Sequence, residues 1–244
     1  MYSYHTFTDV GKIRTTNEDS VFVSSNRYGH TLAIVADGMG GHNAGDVASK
    51  VIVNKISKIW ATTSNITSIT QAKKWLTTQI KEVNTHILKY AKTNGNLSGM
   101  GSTVVIAICL EDYTIIANVG DSRAYALCNT SLIQITHDQT LVNELINQGE
   151  ITELEAKFHP KKNILMQAVG TNKLLKIDFY EIENSYKYLL LCSDGLSNMV
   201  DHKTIEKILL DNKEISETVK LLVNTANTNG GHDNITVVLL KDGD

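Results

Sequence analysis

Strand-like runs fall in two groups along this chain, separated by a pair of long amphipathic stretches, and that order limits the folds open to it. "YSYHTFT", "SVFVSS" and "TLAIVA" come first. Ala44, Val47, Ala48, Val51, Ile52, Ile56 and Ile59 then recur at three- and four-residue steps. Ala72, Trp75, Leu76, Ile80, Val83, Ile87 and Tyr90 do the same, so the spacing predicts two helices, each with one face to bury. "STVVIAICL", "YTIIANV", "SRAYALC" and "SLIQIT" follow, rich in β-branched residues and separated by short gaps such as "ED" and "GD". That pattern reads as an antiparallel meander. Further strands are expected around 175–182 and 187–192, then two short helices and a last strand, "ITVVLL". The helix over 214–227 should bury Ile215, Val219, Leu222, Val223 and Ala226. Strands around blocks of helix, without regular β-α-β alternation, argue for antiparallel sheets covered by helices rather than a doubly wound fold.

Proline occurs once, at Pro160, and no Pro/Gly/Ser-rich linker or internal repeat divides the 244 residues, so one domain over 1–244 is expected. Residues 139–163 are more polar and helical and read as a surface excursion. Hydrophobic residues make up 42% and charged residues 20%, a globular balance. A formal net charge of −3 gives no broad basic face and argues against nucleic acid as a partner. Cys109, Cys128 and Cys192 lie in or beside apolar runs with no C-x-x-C pair, and read as buried free thiols in a reducing compartment. No apolar run approaches the roughly 20 residues of a membrane span, and the N-terminus has no apolar signal-peptide core. A cytoplasmic protein without membrane insertion is expected.

Acids cluster where the strands should end. Asp19 precedes "SVFVSS", Asp37 follows "TLAIVA", and Asp121 lies in the tight turn "VGDSR". Asp194 follows "YLLLCS" and Asp233 precedes "ITVVLL". In an antiparallel pair the start of one strand meets the end of its neighbour. A hairpin of 20–24 with 31–36 would bring Asp19 to Asp37, and "ITVVLL" beside "YLLLC" would bring Asp194 to Asp233. Crowded carboxylates stay ionised together only around a cation. An oxygen-only donor set suits magnesium or manganese. Glycines beside the acids, as in "DGMGG" and "SDGL", would let the backbone approach an ion, with Gly38 giving its carbonyl. A single Asp-Gly at a strand end is most often an ordinary turn, and the pattern by itself leaves both readings open.

Six runs also occur in the order and at the spacing of a known family: "RTTNED" (14–19), "DGMGGHNAGDVAS" (37–49), "GMGSTVV" (99–105), "NVGDSRAY" (118–125), "LLCSDGLSNMV" (191–200) and "GGHDNITVV" (230–238). They resemble the metal-dependent serine/threonine protein phosphatases of the type 2C class, across residues 2–241, and in length the chain is similar to the stand-alone bacterial members. The resemblance implies an α+β fold, a sandwich of two antiparallel β-sheets flanked on both faces by α-helices. It implies two bridged metal ions at one edge, manganese or magnesium, often with a third. Carried over, Asp37 would bridge both ions and Gly38 give its carbonyl, Asp194 and Asp233 would hold the first, and Glu18 and Asp19 would serve the second, directly or through water. Asp121 with Asp194 would hold the third, weaker ion, and Arg14 would grip the substrate phosphate with its planar fork. Residues 139–163 match the flap beside the bacterial site.

The implied reaction is hydrolysis of phosphoserine or phosphothreonine in proteins by a water activated between the ions. Implied partners are phosphorylated proteins and an opposing serine/threonine protein kinase, with the enzyme a monomer. Animal relatives carry a His two places after the bridging Asp; Met39 stands there, and His42 is the candidate general acid, with capping of the next helix as its other reading. A catalytically weak, phosphoprotein-binding relative is the alternative function. Against it, Asp37, Asp194 and Asp233 are all present. A P-loop nucleotide hydrolase would need G-x-x-x-x-G-K-[ST], which is lacking.

Overall fold

A computed structural model describes residues 2–40, 44–211 and 213–242. Its strands form two antiparallel sheets. One holds β1 (Ser3–Asp9), β7 (Arg123–Cys128), β8 (Ser131–Gln134), β10 (Tyr188–Cys192) and β11 (Ile235–Lys241), in the order β1-β11-β10-β7-β8. The other holds β2 (Asp19–Ser25), β3 (Thr31–Met39), β5 (Val104–Cys109), β6 (Tyr113–Val119) and β9 (Asp178–Glu183), in the order β2-β3-β5-β6-β9, with the short β4 (Gly101–Ser102) beside β3. Helices α1 (Ala44–Trp60) and α2 (Ile69–Thr93) cover the second sheet. Helices α5 (Asp194–Ser197), α6 (His202–Leu210) and α7 (Ile215–Thr228) cover the first. The expected αββα sandwich is present.

Four layers explain why the inner strands are apolar on both faces. Side chains alternate across a strand. Leu32, Ile34 and Ala36 of β3, with Val104, Ile106 and Ile108 of β5, pack against α1 and α2. Their neighbours Ala33, Val35, Val105 and Ala107 pack against the other sheet, where they meet Ala124, Ala126, Leu189, Leu191, Val238 and Leu240. Leu190, Val237 and Leu239 face α6 and α7. The helices supply matching stripes: Ala44, Ala48, Ile52, Ile56 and Trp60 on α1, and Ala72, Leu76, Ile80, Val83 and Ile87 on α2. Trp60 meets the edge of Trp75 at 5.4 Å between ring centres and donates its indole N–H to Ser24 O at 3.1 Å. Ser68 caps α2 by accepting from Gln71 N at 3.2 Å.

Three local expectations are corrected. The four strands from residue 102 onward are not one meander. β5 pairs with β6 and β7 with β8, but β6 pairs onward to β9 and β7 to β10 in the opposite sheet. The three residues "GDS" at 120–122 carry the chain across the sandwich instead of turning a hairpin. Cys109 and Cys192 are buried and free, whereas Cys128 is only half-buried. Between β10 and α6 lies an additional one-turn helix, α5, that opens on Asp194. The polar stretch 139–163 contains two short helices, α3 (Leu141–Asn147) and α4 (Glu153–Phe158), the second closed by a capping box between Thr152 and Glu155. Among the described residues no helix is long and apolar enough to cross a membrane.

Ile106 sits fully buried beneath the α1–α2 layer. Ile106→Ala should lower stability by about 2–5 kcal/mol, read as a reduced urea midpoint with an unchanged slope. A loss below 0.5 kcal/mol, on the order of a surface substitution, would contradict this placement.

Candidate metal and phosphate site

Strand register gathers the acids. Asp19 lies directly opposite Asp37 in the β2–β3 ladder. In the other sheet, Ser193 N donates to Thr236 O at 3.0 Å and Thr236 N donates to Ser193 Oγ at 2.9 Å, which extends the β10–β11 pairing by one step. Asp194 and Asp233 therefore leave the sheet at the same end. Ser193 Oγ also lies 2.8 Å from Asp19 Oδ2 and donates to it, joining the two sheets at this edge.

Uncharged side chains set the loops. Asn234 Oδ1 accepts from Glu18 N at 2.8 Å, and its amide nitrogen donates to Val10 O and Thr16 O, both at 2.9 Å. That one side chain folds the loop over 14–19 against β11. Arg14 reaches across and donates to Asp233 Oδ2 at 2.8 Å. Asp37 lies within β3 rather than after it: its N–H donates to Thr103 Oγ1 at 3.2 Å, and its carbonyl accepts from Thr103 N at 2.8 Å and Ser102 Oγ at 2.9 Å. Thr103 Oγ1 and Ser122 Oγ share a hydrogen bond of 2.7 Å, which ties the Asp121 turn to the Asp37 strand. Gly38 N donates to Glu18 O at 3.2 Å, and a Cβ on Gly38 would stand 2.2 Å from Gly45 O. The absent side chain here admits the first turn of α1, a contact between chain segments that the reading of Gly38 as an ion-facing residue did not include.

Burial and mutual repulsion raise these carboxyls together. Asp37 is held well above the ordinary carboxylate range by burial, then by Asp19, Asp194, Asp121 and Asp233. Asp19 is pushed up to about 7 by burial, against hydrogen bonds from Thr236 and Ser193, with Asp194 and Asp233 adding to the rise. Asp121 is pushed up to about 7 by burial, then by Asp194 and Asp138. Asp194 is raised by burial and Asp233, against a hydrogen bond with Asp37. Glu18 is raised by burial. All five aspartates singled out in the sequence thus share one edge, with Glu18 and Arg14 beside them. Among the described residues no three His, Cys, Asp or Glu side chains form a ready-made metal cage. The donor set nevertheless fits a hard divalent cation: it offers carboxylate oxygens, and Asp19 Oδ1 and Asp194 Oδ1 are buried without a hydrogen-bond partner.

His42 lies outside the described residues. The backbone N–H of His137 donates to Tyr180 Oη at 3.0 Å. Ser193, Asn234, Thr103, Ser122 and Asn198, whose amide donates to Asp194 Oδ2 at 3.0 Å, escaped the sequence reading. All five stand within the motif runs, and Ser122, Ser193, Asn198 and Asn234 lie four or fewer positions from an acid, which was their one signal.

An acidic, oxygen-rich edge beside a guanidinium suits a phosphate ester held against divalent cations. The chain belongs to the family described as Protein phosphatase 2C, which matches residues 13–239. It is 44% identical over 235 residues to a serine/threonine phosphatase stp of Listeria monocytogenes, covering 96% of this chain and 93% of that protein. It is 38% identical over 235 residues to the protein phosphatase PhpP of Streptococcus pneumoniae, with 96% and 95% covered. The solved serine/threonine phosphatase of S. agalactiae superposes with a TM-score of 0.95 at 34% identity, covering 100% of both chains. The catalytic domain of the phosphatase PstP, solved with two manganese ions, superposes with a TM-score of 0.86 at 31% identity, covering 100% of this chain and 99% of that one.

A carboxyl whose folded pKa is raised holds its proton more tightly folded than unfolded, so its contribution is full below the unfolded value and lost as pH rises through the folded one. Asp19 and Asp121 should therefore make the chelated protein less stable as pH climbs from 3.8 to about 7. Manganese should remove that slope over pH 5.5–8, roughly the neutral range where metal-free carboxyls lose their protons. Melting curves with chelator and with manganese check it; identical pH profiles in both would refute it.

Proposed function

We propose that this chain, a serine/threonine protein phosphatase of the 2C type, hydrolyses phosphoserine and phosphothreonine in proteins with two divalent cations held at the acidic edge. The observation that carries the reading is the pair of orphaned buried oxygens, Asp19 Oδ1 at the start of β2 and Asp194 Oδ1 at the start of α5. Manganese or magnesium, when bound, supplies Lewis acidity and an activated water. Asp37 would be shared by both ions, with the Gly38 carbonyl beside it; Asp194 and Asp233 would hold the first, and Glu18 and Asp19 the second, directly or through water. Asp121 and Asp194 would hold a third, weaker ion. Ser193 and Asn234 keep the acid-bearing loops in place through the hydrogen bonds described above.

Arg14 receives the phosphate. Its bond to Asp233 already turns the guanidinium toward the acids, and the fork presents paired N–H groups to two phosphate oxygens. His42 delivers the proton to the departing seryl or threonyl oxygen. Residues 139–163 act as a flap that selects the protein substrate, within one domain over 1–244. The family assigns phosphorylated proteins as substrates. An opposing serine/threonine kinase, a cytoplasmic setting and a monomeric state complete the proposal.

Phosphate release from a phosphothreonine peptide should require manganese or magnesium and vanish with chelator. Asp37→Asn should lower turnover by at least about a hundredfold, since even outer residues of a metal site cost roughly 10–100-fold, with the circular dichroism spectrum retained. No turnover by folded wild type with either metal would favour a phosphoprotein-binding role instead. His42→Ala should cost about a hundredfold or more on the peptide and little on an activated aryl phosphate, whose leaving group needs no proton. Equal losses on both substrates would remove His42 from that role.

A further inference from the structure

The segment over 139–163 is fastened at both ends to strands and turns that carry candidate ligands. At its return, Ser102 N donates to Val169 O at 2.9 Å and Val169 N to Ser102 O at 2.8 Å, next to the bond from Ser102 Oγ to the Asp37 carbonyl. At its entry stands Gln139, which is buried and uses every polar group it has. Its backbone N–H donates to Gly120 O at 3.0 Å and its Oε1 accepts from Gly120 N at 2.9 Å. Its Nε2 donates to Asp178 Oδ2 at 2.8 Å, at the first residue of β9. Its carbonyl accepts from Met166 N at 2.8 Å, on the returning chain. One residue thus joins the turn before Asp121, the sheet beside that turn and both ends of the segment.

The contacts around it reinforce this arrangement. Asp138, the preceding residue, pairs bidentately with Arg123, two positions after Asp121, at 2.7–3.1 Å. Asp121 is therefore held on both sides from the same short stretch of chain, through Gly120 by Gln139 and through Arg123 by Asp138. Gly120 O also accepts from Asn118 Nδ2 at 3.1 Å, while Gln139 Oε1 is the acceptor for its N–H. A ligand carried on a turn is only as well placed as the groups behind it, and such outer partners tune metal affinity.

We propose that Gln139 is a positioning residue that sets Asp121 for its metal ion and couples the placement of residues 140–165 to that ion. The inference rests on the reading of Asp121 as a ligand of the third, weaker ion. Gln139→Leu keeps the bulk and removes both side-chain hydrogen bonds. Gln139→Glu puts a second carboxylate against Asp178, whereas Q139E/D178N exchanges donor and acceptor and keeps an oxygen for Gly120 N–H.

Calorimetric titration of the full-length protein with manganese, together with hydrogen exchange of peptides spanning 118–123 and 140–165, tests it. In Gln139→Leu the weakest manganese step should weaken about tenfold or more, and exchange should quicken in both peptides. Gln139→Glu should behave like Gln139→Leu, and Q139E/D178N should return both readouts to wild type, which keeps the test sound if the leucine variant fails to fold. A variant that loses thermal stability while its manganese steps stay unchanged would reduce Gln139 to a structural residue and overturn the proposal. So would quickened exchange confined to 118–123. A wild-type titration with no third step would overturn it together with the role given to Asp121, while metal-dependent turnover by that same protein would leave the phosphatase reading standing.

Discussion

Carboxylates brought together by strand register repel one another, and the architecture concentrates that repulsion at a single edge. Asp19 and Asp37 are opposed because the β2–β3 ladder pairs them, and Asp194 and Asp233 share an end because β10 and β11 do. A one-residue slip in either pair would turn Leu32, Ile34 and Ala36, or Leu190 and Leu239, away from the layers they fill. Register is thus held by the hydrophobic layers, and the acids follow from it. The free-energy cost appears as raised pKa values at Asp19, Asp37 and Asp121, the response expected of buried like charges without a cation beside them. The buried, unpartnered oxygens of Asp19 and Asp194 break a local rule of folding at this edge, a common mark of a functional region.

The supporting residues around the acids are mainly uncharged, and electrostatics explains the choice. Another carboxylate would deepen the repulsion; Arg14 is a cation that does pair with one of the acids, Asp233, and its side chain is half-exposed. Ser193, Thr103, Ser122 and Asn234 give direction without altering the charge balance. Asn234 alone holds Glu18 N, Val10 O and Thr16 O, so its amide serves as donor and acceptor at once, which neither Asp nor Lys can do. Arg123 is the informative contrast: it lies near the acids, but its charge is already matched by Asp138.

Legibility in the sequence follows the range of each interaction. Helices α1 and α2 are visible because burial repeats every three or four residues along one element. The Asp19–Asp37 and Asp194–Asp233 juxtapositions are visible because strand ends and antiparallel pairing suffice to imply them. The split of β6 from β7 is not, since the three residues "GDS" would serve a hairpin as well as a crossing, and only the distant partners β9 and β10 decide between them. Ser193 is invisible for the same reason: its bond to Asp19 spans 174 positions. Asn234 stands beside Asp233 within a motif run, but neither it nor Gln139 carries a periodicity or charge pattern that names its distant partners. The one-turn helix α5 is too short to impose a period.

The glycine-rich runs follow from the same geometry. Gly38, next to Asp37, lies where a Cβ would meet Gly45 O at 2.2 Å, and Gly195, next to Asp194, lies where one would meet Asn234 O at 2.0 Å. In both places an acid-bearing segment is pressed against the backbone of another segment, α1 in one case and the start of β11 in the other. A side chain would separate them and carry the neighbouring carboxylate outward with the displaced backbone. Glycine beside each of these acids is therefore explained before any ion is considered. The ion-binding reading and the turn reading of "DG" are not rivals here, because the tight backbone packing that glycine permits is what brings carboxylates from separate loops to one edge.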